Sequence, residues 1–131
     1  MGKIMNILKR GSFKIDVYGA VIYIILCKDA DSMLIEANKV IKKFKEEVME
    51  HSAEAITFAP NLKGGTYYAW FCPEYLSVNT ITHETDHLRN YVMSFYDINE
   101  NNDSKEASAN LNGYINQKVF KFLSTNSQIK F

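Results

Sequence analysis

Hydrophobic and polar positions along the chain change period several times, and each change marks an element. Phe13 to Val17 alternates apolar and polar residues, the period of a half-buried strand. Gly19 marks a turn. Ala20 to Cys27 is a short run rich in Val, Ile and Tyr and reads as a buried strand. Asp29, Asp31 and Ser32 then offer helix caps. Met33, Leu34, Ala37, Val40, Ile41, Phe44 and Val48 recur at helical spacing, with Lys39, Lys42, Lys43 and Glu46 opposite them. This predicts an amphipathic helix to about Met49. Ala55 to Ala59 is apolar and ends at Pro60. Thr66 to Phe71 is aromatic and predicts a strand, joined to the preceding run by a Gly-containing turn in a hairpin. Ser77 can cap a second helix to about Tyr96, with Val78, Ile81, Leu88, Tyr91, Val92 and Phe95 as its apolar positions. The polar, Asn-rich stretch from Asp97 to Ser104 reads as a loop. A third helix follows from about Lys105 to Leu123, and Ser124 to Lys130 reads as a polar tail.

Strands early in the chain and two long helices at its end predict an α+β class. The expected architecture is a small antiparallel or mixed sheet with an N-terminal helix, an active-site helix and a C-terminal helix. The length of 131 residues suits a single domain. Composition adds little beyond this: 47% hydrophobic and 23% charged residues are ordinary for a globular chain. Fifteen basic residues balance fifteen acidic ones. That balance argues against a general nucleic-acid binder, which needs a basic excess. The apolar run at Ala20 to Cys27 is too short to span a bilayer. The first residues show no secretory signal, and Asn6 breaks a myristoylation pattern at Gly2. The expectation is therefore an intracellular chain with no membrane partner. Cys27 and Cys72 lie in separate apolar stretches and read as reduced, buried thiols, with a disulfide between them left open.

The run His83-Glu84-Thr85-Asp86-His87 carries the chemistry. Histidines four apart on a helix share a face, so two imidazoles can share a zinc ion. Glu84, beside the first of them, can take a proton from a metal-bound water. A catalytic zinc also needs a third protein ligand. Glu106, at the start of the next helix, is the expected one, with the Asn-rich loop reversing the chain. Ala107 and Ala109 are expected to let the helices approach closely. Asn110 could hydrogen-bond a ligand histidine, and Tyr114 could donate to a developing oxyanion.

With these residues in place the sequence resembles the small zincin metallopeptidases of the gluzincin type, and most of all the short zincin-like proteins of bacteriophages. The likeness runs over Val78 to Phe122. It rests on His-Glu-x-x-His, on Glu106-Ala107-Ser108-Ala109 and on the Gly113-Tyr114 pair. The resemblance implies His83, His87 and Glu106 as zinc ligands, Glu84 as general base and a peptide or protein substrate. It also implies a sheet edge, expected at Thr66 to Phe71, that pairs with an extended peptide. Three positions depart from the family: charged Asp86 within the motif, Arg89 where an apolar residue is usual, and Asn110 where larger members often carry Asp. Asp86 and Arg89, three apart, are expected to pair on the solvent side.

Two other function classes stay open. One is a non-catalytic structural or interaction protein of a phage particle, contacting other virion subunits, which would place the chain in a virion rather than a bacterial cytoplasm. The other is a nucleic-acid binder using Trp70, Tyr67, Tyr68 and Phe71 to stack bases; neutral charge favours core packing for these rings. His51, after Glu46, Glu47 and Glu50, reads as a surface residue near a helix end. Asp29 and Asp31 read as caps rather than ligands.

Overall fold

A computed structural model describes residues 5–60, 65–95 and 105–124. The expected loop at 97–104 and the tail beyond 124 lie outside these residues. The described chain is α+β, with one four-stranded mixed sheet and three helices. The strands are β1 (Ile7–Ile15), β2 (Ala20–Cys27), β3 (Ala55–Phe58) and β4 (Thr66–Phe71), in the order β1-β2-β4-β3. β1 and β2 are antiparallel and meet at a short 3-10 turn, closed by Gly19 at φ 61°. That left-handed value costs glycine no Cβ clash. β2 and β4 are parallel, and β3 returns antiparallel to β4, as the hairpin pattern predicts.

The helices are α1 (Ala30–Lys43), α2 (Val78–Phe95) and α3 (Lys105–Ser124). Alternation along the strands divides them between the two faces of the sheet. Ile22, Ile24, Leu26, Tyr67, Ala69 and Phe71 point to one face, where Ile81, Leu88 and Val92 of α2 and Leu111, Ile115 and Val119 of α3 cover them. Ile25, Cys27, Ile56, Trp70 and Cys72 point to the other face, beneath Met33, Ala37 and Ile41 of α1. Cys27 and Cys72 are free and buried, and burial pushes the Cys27 thiol up to about 12. Among the described residues no helix is long and apolar enough to cross a membrane.

Capping residues set the helix boundaries. The Asp29 side chain accepts from the Ser32 backbone N–H at 2.7 Å, and Ser77 Oγ accepts from that of Thr80 at 3.0 Å. α1 stops at Lys43, well short of Met49. Phe44 follows as its cap, Lys45 takes a left-handed φ of 58°, and Glu46 N–H bonds back to the Ile41 carbonyl. This is a Schellman ending with lysine where glycine is usual, so the sequence carries no visible stop. The Asn38 side chain then holds Met49 by two hydrogen bonds, at 3.0 and 2.9 Å, and turns the chain toward β3. His51 is exposed on that connection, beyond the residues of α1.

Lys45→Gly relieves the left-handed strain and is expected to raise stability by about 0.5–1 kcal/mol in urea unfolding. A loss of stability would contradict this account of the helix end.

Candidate metal centre

The rotation of α2 about its own axis decides what its motif meets. Ile81, Leu88 and Val92 face the sheet. Thr85, fully buried, donates to Asn116 Oδ1 on α3 at 2.7 Å. Arg89 reaches α3 as well: one guanidinium nitrogen donates to Ser108 Oγ at 2.8 Å and another to Asp86 Oδ1. Contacts at 85–116 and 89–108 make the two helices antiparallel. The Asp86–Arg89 pair therefore differs from the expected solvent pair. Asp86 is half exposed, but the Arg89 side chain is only 13% exposed, inserted between the helices. Buried Ser108 occupies the contact. Ala107 and Ala109, expected there, are exposed because one residue of helix rotates the side chain by about 100°.

His83 and His87 stand two residues to either side of Thr85, on the face of α2 turned away from α3. Their Nε2 atoms are 3.2 Å apart and the rings meet edge to face. An N–H···N hydrogen bond between the rings accounts for this distance; two nitrogens each about 2.0–2.1 Å from one tetrahedral zinc ion are separated by about 3.3 Å, so the same spacing is also compatible with two zinc ligands. His83 is largely exposed, which leaves its side of the pair open to solvent.

Glu84 turns from that face toward β3 and is buried at 8% exposure. One carboxylate oxygen lies 3.9 Å from His83 Nε2. Burial raises the carboxyl above its ordinary 4.5, while His83, His87 and a hydrogen bond from Thr57 act against that rise. The Thr57 hydroxyl is also 3.3 Å from Tyr91 Oη. With its proton given to Glu84, Thr57 accepts from Tyr91. The Tyr91 ring stacks between Tyr67 and His87, at 6.3 and 6.4 Å between centroids. Thr57 and Tyr91 were not among the sequence candidates. Tyr91 could have been found, because it continues the 83–87 stripe by one further turn.

The remaining candidates sit elsewhere. Glu106 is exposed, two residues before buried Ser108 and so on the outward side of α3. Among the described residues, no three His, Cys, Asp or Glu side chains are grouped to hold a metal ion. The structure thus brings together His83, His87 and Glu84 but does not bring Glu106 to them. Tyr114 Oη donates to the Lys14 carbonyl of β1 at 3.0 Å, and its ring packs on Phe13. Asn110 lines a shallow groove with Tyr114, Ile15 and Tyr18. Strand order separates this groove from the histidines, since α3 meets the β1 edge of the sheet and α2 the β3 edge. Strand β4, expected as a free edge, is paired on both sides; the edge beside Glu84 is β3.

Comparisons with protein-family models, curated proteins and solved structures found no match.

A buried carboxyl with a raised pKa binds more protons folded than unfolded, so its ionisation opposes folding as pH rises from 4.5 upward. Glu84→Gln is therefore expected to raise the Tm of the metal-free protein at pH 7, with the gain disappearing below pH 4.5. Thermal unfolding across this range checks it; an equal gain at every pH would mean that ionisation is not the cause.

Proposed function

We propose that this chain is a zinc-dependent hydrolase of peptide bonds, with His83 and His87 as ligands and Glu84 as general base. The observation that carries the reading is the 3.2 Å Nε2–Nε2 separation beside a buried carboxylate. Zinc held there would polarise a scissile carbonyl and make water acidic enough to deprotonate near neutral pH. The protein's own residues supply the rest. Burial makes Glu84 a stronger base than a surface carboxylate, and Thr57 fixes its orientation from β3. Tyr91 holds Thr57 and walls one side of His87. The zincin likeness suggests a substrate laid along a sheet edge. Here that edge is β3, whose Thr57 touches the base, so an extended peptide paired with β3 would pass beside the histidines.

The same likeness supplies Glu106 as third ligand. Reaching the ion would require the first turn of α3 to move from the outward position it holds. The runner-up reading is a non-catalytic interaction protein of a phage particle on the same scaffold. The specific observation favouring it is that no third ligand joins the pair among the described residues.

Zinc titration by calorimetry, with metal analysis, tests the reading. One equivalent is expected, and His83→Ala and His87→Ala should each weaken binding by at least about tenfold. Glu106→Ala tests the third position: a comparable loss would support Glu106 at the ion, and the unchanged affinity that its outward position implies would remove it from the site. Glu84→Gln should keep zinc and lose cleavage of an unstructured protein substrate. Zinc retained without cleavage by the wild type would favour the interaction reading, and no zinc uptake by the wild type would overturn both forms of the metal site.

A further inference from the structure

The sheet face that carries α1 is only partly covered by it. Two rows of side chains cross this face in register. Arg10, Ile25, Trp70 and Ile56 form the first, and Ser12, Tyr23, Tyr68 and Phe58 the second. α1 closes over the inner part of the first row, since Ile25, Trp70 and Ile56 are buried with Met33, Ala37 and Ile41. The second row lies beyond the end of the helix. There Phe44 packs against Phe58 and Tyr68, at 6.0 and 6.2 Å between centroids, and covers the β3 side. The β1 side stays open. Tyr23 is 41% exposed, because its cross-strand neighbour on β1 is only Ser12.

Tyr23 is the open end of a continuous ladder of rings that runs inward to buried Trp70. Tyr23 stacks on Tyr68 at 5.2 Å and 19°, and Tyr68 on Trp70 at 5.6 Å and 10°. They line a groove of about 410 Å³ whose walls also carry Arg10, Lys39 and Lys43. Lys39 and Lys43 are four apart on α1 and so share one side of it. Lys14 follows Ser12 on the same face of β1. Among the described residues only one acid, Glu36, lines the groove, and its carboxylate is taken up by Lys39 at 2.8 Å and Asn6 at 3.1 Å. Neutral charge for the whole chain thus conceals a local excess of cations around stacked aromatic rings.

We infer that this groove binds a nucleotide, free or as one unit of a single strand, with the base stacked on Tyr23 and its phosphate met by Arg10 and Lys43, the charge of Lys39 being already paired with Glu36. A flat aromatic ligand extends the ladder at its open end, and an anionic one answers the cations. A phosphorylated base has both properties. A sugar would use the rings but not the cations, and a plain polyanion the cations but not the rings. The site lies on the opposite face of the sheet from His83 and His87, and the inference does not depend on the zinc reading.

Fluorescence anisotropy of a short labelled oligothymidylate tests it on the full chain. Binding is expected, weakening with salt by a slope of about −0.7 per phosphate contacted. Tyr23→Ala should weaken it about tenfold, from the lost stack, while Tyr23→Phe restores it. Lys43→Glu should weaken it at least as much, with zinc uptake unchanged in all three variants. Displacement by thymidine monophosphate but not by thymidine identifies a free-nucleotide site; retention of the strand against both identifies a strand unit. Absence of binding, or equal binding by wild type, Tyr23→Ala and Lys43→Glu, overturns the proposal. Displacement by heparin with no effect of Tyr23→Ala also overturns it, by showing an anion patch without stacking.

Discussion

The angle at which α2 is locked about its own axis governs the candidate metal centre. Two independent sets of contacts fix it. Ile81, Leu88 and Val92 bury against the sheet, and Thr85 and Arg89 bond to Asn116 and Ser108 of α3. With those sides used, the helix has one side left for His83 and His87, and a boundary position for Glu84 between core and solvent. Rotation by a single residue would bury a histidine or expose the carboxylate. The charged and polar contacts suit this role. Their bonds require particular partners, whereas apolar packing alone tolerates some slip.

That locking gives the three motif residues different surroundings. His83 is largely exposed and His87 partly so. Glu84 is desolvated, which raises its carboxyl above its ordinary value, and the hydrogen bond from Thr57 keeps it from being an unpaired buried group. The Tyr91–Thr57–Glu84 chain also ties the centre to edge strand β3. Glu84, the histidine pair and the β3 edge are thus in contact through one chain of side chains, while the groove bounded by Tyr23 and Lys43 lies on the opposite sheet face.

Much of this was legible in the sequence because local chemistry and tertiary packing agree. β2 and β4 fall where their aromatic and β-branched runs end, and α2 begins after its Ser77 cap. The end of α1 was hidden, because Lys45 adopts a conformation that normally announces itself as glycine. The two histidines and Glu84 could be placed together because helical spacing alone sets their relation. Glu106, Asn110 and Tyr114 could not, since their place depends on which face of α3 meets α2. Reading Ala107 and Ala109 as the contact, rather than Ser108, turned α3 the wrong way. Arg89 was read as a surface charge because its partners, Asp86 and Ser108, belong partly to another helix. The β4 edge was misplaced for a related reason: chain order places β3 before β4, but only the three-dimensional pairing shows that β4 lies inside the sheet.

The central claim is that His83 and His87 act as a ready pair of metal ligands. Zinc-edge X-ray absorption on the protein loaded with one equivalent of zinc tests it most directly. The account predicts two imidazole nitrogens at about 2.0–2.1 Å in the first shell, and loss of one imidazole in His87→Ala. A shell of oxygen ligands without imidazole scattering, or a spectrum unaltered by His87→Ala, would contradict it.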